Sequence, residues 1–247
     1  MATRLLYLED FDVIDCEATV VAITDTDDNQ LDIQLDQTCF YPRGGGQDWD
    51  EGTISGQADS AFIVTKVQLD EFGVVHHIGT YQQGKLTVGD TVVCTVDAVR
   101  RGINTRLHSA GHAIDLGIDQ LGLGWEPVKA GHYPHMSFVE YDVSLNAEEA
   151  EHVRQTIEKT VQDIVTAGSH NEIRFMPVGQ MRTVCRHVPA NIPTNKPARV
   201  VMYSNTFGIP CGGTHVRDLH DIGTVIITKL QSKKGLTKVS YRVEGIN

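Results

Sequence analysis

The sequence lacks the features that would mark a membrane, secreted or repetitive protein. No apolar run in its 247 residues approaches the length of a membrane span, and residues 1–6 lack the long apolar core of a signal peptide. Its five cysteines, an odd and scattered set, do not make a disulfide framework. It has no internal repeat and no low-complexity segment. We therefore expect a reduced, cytoplasmic protein with no membrane partner.

Several common catalytic motifs are also missing. Ser109 follows His108, which excludes the zinc-protease motif, because that motif places a glutamate there. The glycines at 44–46 form neither a phosphate-binding loop nor a dinucleotide fingerprint, since the Lys-Ser/Thr pair and the strand-to-helix context are absent. There is no G-x-S-x-G nucleophile motif. A metal site is the remaining candidate for chemistry.

Charge is distributed unevenly along the chain. Residues 1–97 hold 4 Lys/Arg against 18 Asp/Glu, a net −14, whereas residues 98–247 hold 17 against 14, a net +3. The total of −11 argues against a broad nucleic-acid interface and against DNA as a partner, but the second part can tolerate a polyanion. The asymmetry suggests two domains, although an acidic solvated surface also explains the first part.

The predicted secondary structure changes character at Asp97. Before it, short strands separated by turns favour a small barrel or sandwich. Asp97 is a suitable N-cap for a helix over residues 98–121, and Asn146 for a second helix that runs to about residue 167. Strands are predicted at residues 16–24, 31–36, 38–41, 52–54, 61–69, 74–78, 91–96, 125–131, 135–141, 172–176, 199–203, 224–231 and 237–243, with a short helix at 177–186. This mixture favours an α+β fold.

Two pairs of residues have the spacing of metal ligands. His108 and His112 are four apart, which places both imidazoles on one face of a helix. Cys211 and His215 repeat the spacing, and the glycines between them suit a backbone that wraps closely around an ion. Zinc accepts imidazole nitrogen and thiolate sulfur in tetrahedral geometry. The alternative is a solvent-facing histidine pair and an unrelated glycine turn.

Five segments together resemble the editing domain of alanyl-tRNA synthetases and the glycine-rich signature that precedes it. They are F-Y-P-R-G-G-G-Q at 40–47, D-E-G-T-I at 50–54, H-S-A-G-H at 108–112, C-G-G-T-H at 211–215 and S-K-K-G at 232–235. Their order and spacing extend the resemblance to roughly residues 5–245. No synthetase catalytic domain is present, so the sequence is most similar to the freestanding editing proteins called AlaX.

The resemblance implies a fold and an activity. The fold would be a small N-terminal β-barrel over residues 1–97, similar to a translation-factor barrel, followed by an α/β two-layer sandwich over residues 98–247 that carries zinc. The activity would be hydrolysis of the ester that joins a wrong amino acid, chiefly serine and sometimes glycine, to alanine tRNA. The implied zinc ligands are His108, His112, Cys211 and His215.

The resemblance also suggests residues that contact RNA. Gly44, Gly45, Gly46 and Gln47 would lie near the site or the tRNA end, and the alternative is a flexible hairpin tip. Lys233 and Lys234 are candidates for neutralising acceptor-stem phosphates, although ordinary solvated surface explains them equally.

Three further residues are catalytic candidates. Lys129 stands where the synthetases carry a glutamine that faces the zinc, and His132 follows on the same predicted strand. Their alternative is a partly exposed strand pair. Thr53 is also a polar candidate for recognising a seryl hydroxyl, together with Ser109 and Thr214.

Three functions remain open at this level. The first is a zinc hydrolase acting on mischarged alanine tRNA with an open position on the metal, although four protein ligands normally close a zinc site. The second is a non-catalytic, zinc-stabilised module that binds tRNA. The third is a zinc hydrolase retargeted to a small ester or amide.

Overall fold

The computed structural model describes residues 1–26, 28–57, 59–190, 192 and 194–246. The chain forms two compact units. The first consists of Met1–Gly44 and Asp48–Gly102, and the second of Gly45–Gln47 and Ile103–Asn247. The division after Gly102 falls inside a long helix, and the end of the glycine loop belongs to the second unit. The domain boundary predicted at residue 97 stays a prediction.

The first unit is built on a closed six-stranded barrel, which confirms the barrel predicted for this part of the chain. The strands of this unit are β1 Arg4–Leu5, β2 Asp15–Asp25, β3 Leu31–Leu35, β4 Gln37–Thr38, β5 Gly52–Ser55, β6 Ala61–Leu69, β7 Val75–Gln83 and β8 Thr91–Val96. The barrel order is β2-β3-β7-β6-β5-β8, and β1 pairs in parallel with β4 outside it. Exposed and buried residues alternate along β8, because every second side chain of the strand points into the barrel core. Ile33, Phe40 and Phe62 are fully buried there.

One predicted strand of this unit is too long. The sequence predicts a strand over residues 38–41, whereas β4 ends at Thr38. The backbone N–H of Tyr41 donates to Asp50 Oδ2 at 2.6 Å, and the buried Arg101 guanidinium bonds the same carboxylate. A side-chain carboxylate therefore accepts the hydrogen bond that a neighbouring strand would take, and the ladder stops.

The second unit contains two antiparallel sheets, so the whole chain is α+β as predicted. Its elements are β9 Pro127–Tyr133, β10 Met136–Tyr141, α2 Ala147–Ala167, β11 Glu172–Met176, α3 Val178–Met181, β12 Ala198–Met202, β13 Gly208–Pro210, β14 Val225–Lys233 and β15 Leu236–Val243. One sheet has the order β14-β15-β10-β9 and the other β11-β12-β13. The helix predicted over 177–186 is only the single turn α3, and β13 was not predicted because three residues show no periodicity.

The long helix α1, Ala98–Gln120, begins where the sequence predicts. Asp97 Oδ1 accepts from the backbone N–H groups of Val99 and Arg100, as an N-cap should. The start of α2 is held by the predicted Asn146, which forms a reciprocal capping box with Glu149. No helix in the described part of the chain is long and apolar enough to span a membrane.

Candidate metal centre

Four side chains from two distant segments meet inside the second unit. They are His108 and His112 on α1, and Cys211 and His215 after β13; one donor atom from each lies within 4.8 Å of all the others. Cys211 Sγ is 3.4 Å from His108 Nε2 and 3.3 Å from His215 Nε2. Two such ligands on one tetrahedral zinc would be about 3.6 Å apart. The predicted ligand set is therefore assembled, and it can hold a metal ion.

Gln47 fixes the orientation of the His108 ring. The backbone N–H of Thr214 donates to Gln47 Oε1 at 3.1 Å, so this oxygen, and not the amide nitrogen, faces His108. His108 Nδ1 lies 2.7 Å from the same oxygen and must carry the hydrogen. Nε2 therefore keeps its lone pair and directs it towards Cys211. The Gln47 side chain is fully buried, and its nitrogen donates to Thr214 Oγ1 at 2.9 Å.

Tyr203 and Ser109 hold the other two imidazoles in the same way. Tyr203 Oη is 2.7 Å from His112 Nδ1 and 3.2 Å from His215 Nδ1. Ser109 Oγ lies 3.4 Å from His215 Nδ1 and accepts from the backbone N–H of Val216 at 3.0 Å. All three ligand rings thus have their Nδ1 atoms engaged by the protein, an arrangement that orients metal-binding histidines.

Burial sets the charge of the cluster. It lowers the pKa of His108, His112 and His215 well below the ordinary value, and neighbouring positive charge lowers it further, so the rings are neutral. Burial also raises the pKa of the Cys211 thiol, against the Gly213 N–H that donates to its sulfur at 3.3 Å. Metal ions bind neutral imidazoles and deprotonated thiols, and a nearby cation would favour loss of the Cys211 proton. The cluster therefore has the donor chemistry of a metal site.

Two glycines let these rings pack. A Cβ on Gly213 would overlap the His108 ring, and a Cβ on Gly111 would lie 2.7 Å from His132 Nδ1. Gly111 stands in the interior of α1, where glycine costs roughly 0.5–1 kcal/mol relative to alanine. Close approach of the histidine rings therefore explains a residue that is otherwise unfavourable in a helix.

His132 lies directly against the cluster. Its ring stacks on His108 with centroids 4.3 Å apart. Its Nδ1 is 2.6 Å from Tyr241 Oη, which donates its own hydrogen to the Leu107 carbonyl at 2.9 Å. Nδ1 must therefore donate to Tyr241, and Nε2 keeps a lone pair. Burial lowers the pKa of His132 to about 3, so the ring is neutral at physiological pH.

The other two catalytic candidates lie on strands of different units. Lys129 lies three residues before His132 on β9, so its side chain leaves the opposite face of the sheet, and it is exposed. Thr53 belongs to the first unit, where it is half-buried on β5 opposite Ile63 and Thr95. Their catalytic roles stay predictions.

The residues suggested for RNA contact fall into four settings. The carbonyl of Gly46 accepts from the backbone N–H of His132 at 2.7 Å, which ties the end of the glycine loop to the cluster. Gly44 and Gly45 are exposed. Lys233 and Lys234 are exposed at the tip of the β14–β15 hairpin. Gln47 is buried, and its contact with RNA stays a prediction.

Sequence reasoning missed the two tyrosines that complete the centre. Tyr203 follows β12 and Tyr241 lies on β15, and both are nearly fully buried. A buried tyrosine needs a partner for its hydroxyl. That rule shows that such a partner exists, but no local spacing identifies the partner as a histidine about a hundred residues away.

The fold and the cluster together define a two-part α+β protein: a barrel and a second unit with a buried centre of three histidines and one cysteine. Residues 10–100 match the family described as tRNA synthetases class II (A). The chain is 32% identical over 223 residues to the alanine–tRNA ligase of Paraburkholderia phytofirmans, covering 89% of this chain and 24% of the relative. It is 30% identical over 213 residues to that of Acidithiobacillus ferridurans, covering 86% and 24%.

The chain is therefore homologous over most of its length to part of the alanine–tRNA ligases, which confirms the resemblance seen in the sequence. It spans about a quarter of the length of the curated relatives it matches.

Proposed function

We propose that this protein is a zinc-dependent hydrolase that removes wrong amino acids, serine foremost and glycine second, from alanine tRNA in trans. The observation that carries the proposal is the buried cluster of His108, His112, Cys211 and His215 beside a fourth histidine, His132, that is neutral and is not a member of the cluster. Homology to alanine–tRNA ligases supports the substrate class.

The donor set fits zinc, because nitrogen and sulfur ligands in tetrahedral geometry are the ones that zinc prefers. When bound, zinc supplies Lewis-acid polarisation of an ester carbonyl. Gln47, Tyr203 and Ser109 hold the ligand rings so that each Nε2 faces the centre. The three ligand histidines are buried, whereas Cys211 is only half-buried, so substrate would approach from the side of Cys211.

His132 would place the attacking water. Its Nδ1–H is committed to Tyr241, so Nε2 can accept a hydrogen bond from a water molecule and orient it towards the ester carbonyl. A base is most effective when its pKa lies near the working pH. With a pKa of about 3, His132 is suited to orienting water, and not to holding the abstracted proton.

The amino-acid preference follows from the polarity of the substrate. A pocket that hydrogen-bonds the seryl hydroxyl rejects alanine strongly, because the missing hydroxyl leaves buried polar groups unpaired. Thr53 is the residue proposed for that bond. Ser109 and Thr214 are not, since both hydroxyls already hold the cluster. Gly44, Gly45 and the hairpin lysines would contact the tRNA acceptor end.

One observation favours a second candidate function. Four protein donors can close a zinc shell completely, and closed zinc sites are structural. In that case the protein would be a zinc-stabilised module that binds tRNA without cleaving the ester.

Deacylation kinetics separate these functions. Purified zinc-loaded protein is incubated with alanine tRNA charged with serine, glycine or alanine, and the remaining ester is followed with time. The proposal predicts rapid loss of the seryl ester, slower loss of the glycyl ester and little loss of the alanyl ester. Binding of tRNA without hydrolysis would favour the structural module. Hydrolysis of small esters alone would favour a retargeted hydrolase.

Two substitutions of His132 test its role. His132→Asn keeps a donor near Tyr241 but has no atom at the Nε2 position, whereas His132→Gln can place an acceptor oxygen there. We expect kcat for the seryl ester to fall about 100-fold or more in His132→Asn, with KM little changed, and to recover partly in His132→Gln. Equal kcat values for the two variants, at unchanged zinc content, would exclude the proposed water contact.

A further inference from the structure

Three of the five cysteines belong to the first unit and pack together in its barrel. Cys16 lies on β2, Cys94 lies on β8, and Cys39 directly follows β4. Cys39 and Cys94 are part of the apolar core, and Cys16 packs against that core while staying half-buried. The proposed hydrolase makes no use of these three thiols.

The pairing of β2 with β8 places Cys16 and Cys94 directly opposite each other. The Val96 N–H donates to the Ile14 carbonyl at 2.8 Å, two positions away in the same ladder. Because such bonded pairs recur at every second position of an antiparallel ladder, Cys16 and Cys94 also occupy a hydrogen-bonded pair. Opposed residues project from the same face of a sheet, so the two sulfurs share the inner face of the barrel.

This position suits a disulfide that forms and breaks. The Cα atoms of a hydrogen-bonded pair are about 5.5 Å apart, within the range of about 4.4–6.8 Å that disulfides span. The Cβ atoms of such a pair are about 5.5 Å apart and must approach to about 4.5 Å before the sulfurs can bond. That movement strains the bond, and strained disulfides are readily reduced.

Cys16 is the thiol of this group that ionises most easily. Hydrogen bonds from the thiols of Cys39 and Cys94 lower the pKa of Cys16. The same contacts, together with burial, raise the pKa of Cys39 and of Cys94, so these two keep their protons. A thiolate is the form of cysteine that attacks peroxides. Cys16 is also half-buried, whereas the other two are 0% exposed, so a small oxidant reaches Cys16 first.

Cys39 is held in a different way from Cys94. Its sulfur donates to the Cys94 carbonyl at 3.9 Å, and its own carbonyl accepts from Arg101 Nη2 at 2.7 Å. Its backbone is therefore fixed by a buried guanidinium and is not part of the ladder that aligns Cys16 with Cys94. Cys39 acts as a hydrogen-bond donor to the Cys16 thiolate, and Cys94 is the partner for a disulfide.

We propose that Cys16 is a site of reversible oxidation by hydrogen peroxide and that Cys94 converts the product to a disulfide inside the barrel. The Cys16 thiolate attacks one peroxide oxygen, the O–O bond breaks, and hydroxide leaves a sulfenic acid on Cys16. The Cys94 sulfur then attacks the Cys16 sulfur, so that the S–S bond forms and the S–O bond breaks. The Cys94 proton leaves with that oxygen as water. In total, two thiols lose two electrons and one peroxide is reduced to two molecules of water.

Thiol counting and peptide mapping test the inference on the zinc-loaded protein. The protein is treated with a small excess of hydrogen peroxide, alkylated, and digested without reduction. We expect the free thiols, counted after unfolding and removal of zinc, to fall from five to three per chain. Mass spectrometry should find peptides joined through Cys16 and Cys94. Dithiothreitol should restore all five thiols by exchange.

Substitutions assign a role to each thiol. Cys16→Ser should slow the reaction with peroxide about tenfold or more. Cys94→Ser should stop the reaction at the sulfenic acid, which dimedone labels on Cys16. Because Cys94 is fully buried, circular dichroism checks the fold of this variant, and Cys94→Ala is a second variant with the same expected result. Cys185→Ser, a change at a buried cysteine of the second unit, is the matched control and should form the disulfide within about twofold of the parent rate.

Three outcomes would overturn the assignment. They are a disulfide between Cys16 and Cys39, oxidation confined to Cys211, and survival of all five thiols in excess peroxide. A second tightly bound metal ion per chain that is lost in Cys16→Ser would also overturn it, because the thiols would then be metal ligands. Deacylation of seryl-tRNA depends on the centre in the second unit and tests the proposed function separately.

Discussion

Replacing Gln47 by leucine should reveal how strongly a buried amide controls the metal centre. The side chain makes three hydrogen bonds: its oxygen accepts from His108 Nδ1 and the Thr214 N–H, and its nitrogen donates to Thr214 Oγ1. Leucine has a similar volume and fills the site without offering a partner. The imidazole N–H and the backbone N–H would both remain buried and unpaired.

The magnitude follows from those two groups. Each unsatisfied buried donor costs about 1–3 kcal/mol, so the free energy of unfolding should fall by about 2–6 kcal/mol. Loss of a partner behind a metal-binding histidine typically weakens metal affinity about 10- to 100-fold. Chemical denaturation measures the first effect, and competition with a chromophoric zinc chelator measures the second.

A matched control distinguishes this effect from a general loss of polarity. Gln155 is exposed on α2, so Gln155→Leu makes the same chemical change far from any buried donor. We expect its stability and zinc affinity to match those of the parent. If Gln47→Leu also binds zinc within twofold of the parent and unfolds at the same denaturant concentration, the amide does not fix the His108 ring, and the tautomer argument is wrong.

Four other changes have directions that the structure determines. Gly102→Ala should stabilise α1 by about 0.5–1 kcal/mol in denaturation assays, because an added Cβ meets nothing within 4 Å. Gly111→Ala should instead lower the free energy of unfolding and the zinc affinity measured by chelator competition, because its Cβ would lie 2.9 Å from the Tyr241 hydroxyl. Neutralising Lys233 and Lys234 together should reduce the slope of log affinity against log salt for tRNA by about 1.5, and an unchanged slope would remove them from the interface. The pKa of Asp115 is about 7 in the folded protein, above its usual value near 3.8. The folded state therefore binds this proton more tightly than the unfolded state, so the free energy of unfolding should fall as pH rises from about 4 to 7. Asp115→Asn should remove that fall from unfolding curves measured over this pH range.

Local patterns predicted most of the fold because the deciding forces act locally. The alternation of buried and exposed residues along β8 and the N-caps of α1 and α2 each depend on a few adjacent residues. The structure shows these features at the residues where the sequence predicts them. The errors occur where a distant residue decides. The predicted strand over 38–41 ends early because Asp50 takes the Tyr41 N–H, which no window around residue 41 contains.

The same distinction holds within the metal centre. His108 and His112 share a helix, and Cys211 and His215 share one loop, so spacing alone was enough to nominate them as two pairs. The partners that orient their rings come from elsewhere in the chain and show no spacing rule. The resemblance placed Gln47 near the site or the tRNA end, but no local pattern showed that its side chain is buried against His108 and Thr214.

The burial of the ligands suggests which of them would open the shell if the centre is catalytic. His108 and His215 are 1% and 0% exposed and His112 is 6% exposed, and each is held at Nδ1 by a protein partner. Cys211 is more exposed, and its sulfur accepts a hydrogen bond from the backbone N–H of Gly213. Because the three imidazoles are held in place and the thiol is accessible, we expect any ligand exchange to occur at the sulfur. An open position would therefore form at Cys211, on the side from which substrate is proposed to approach.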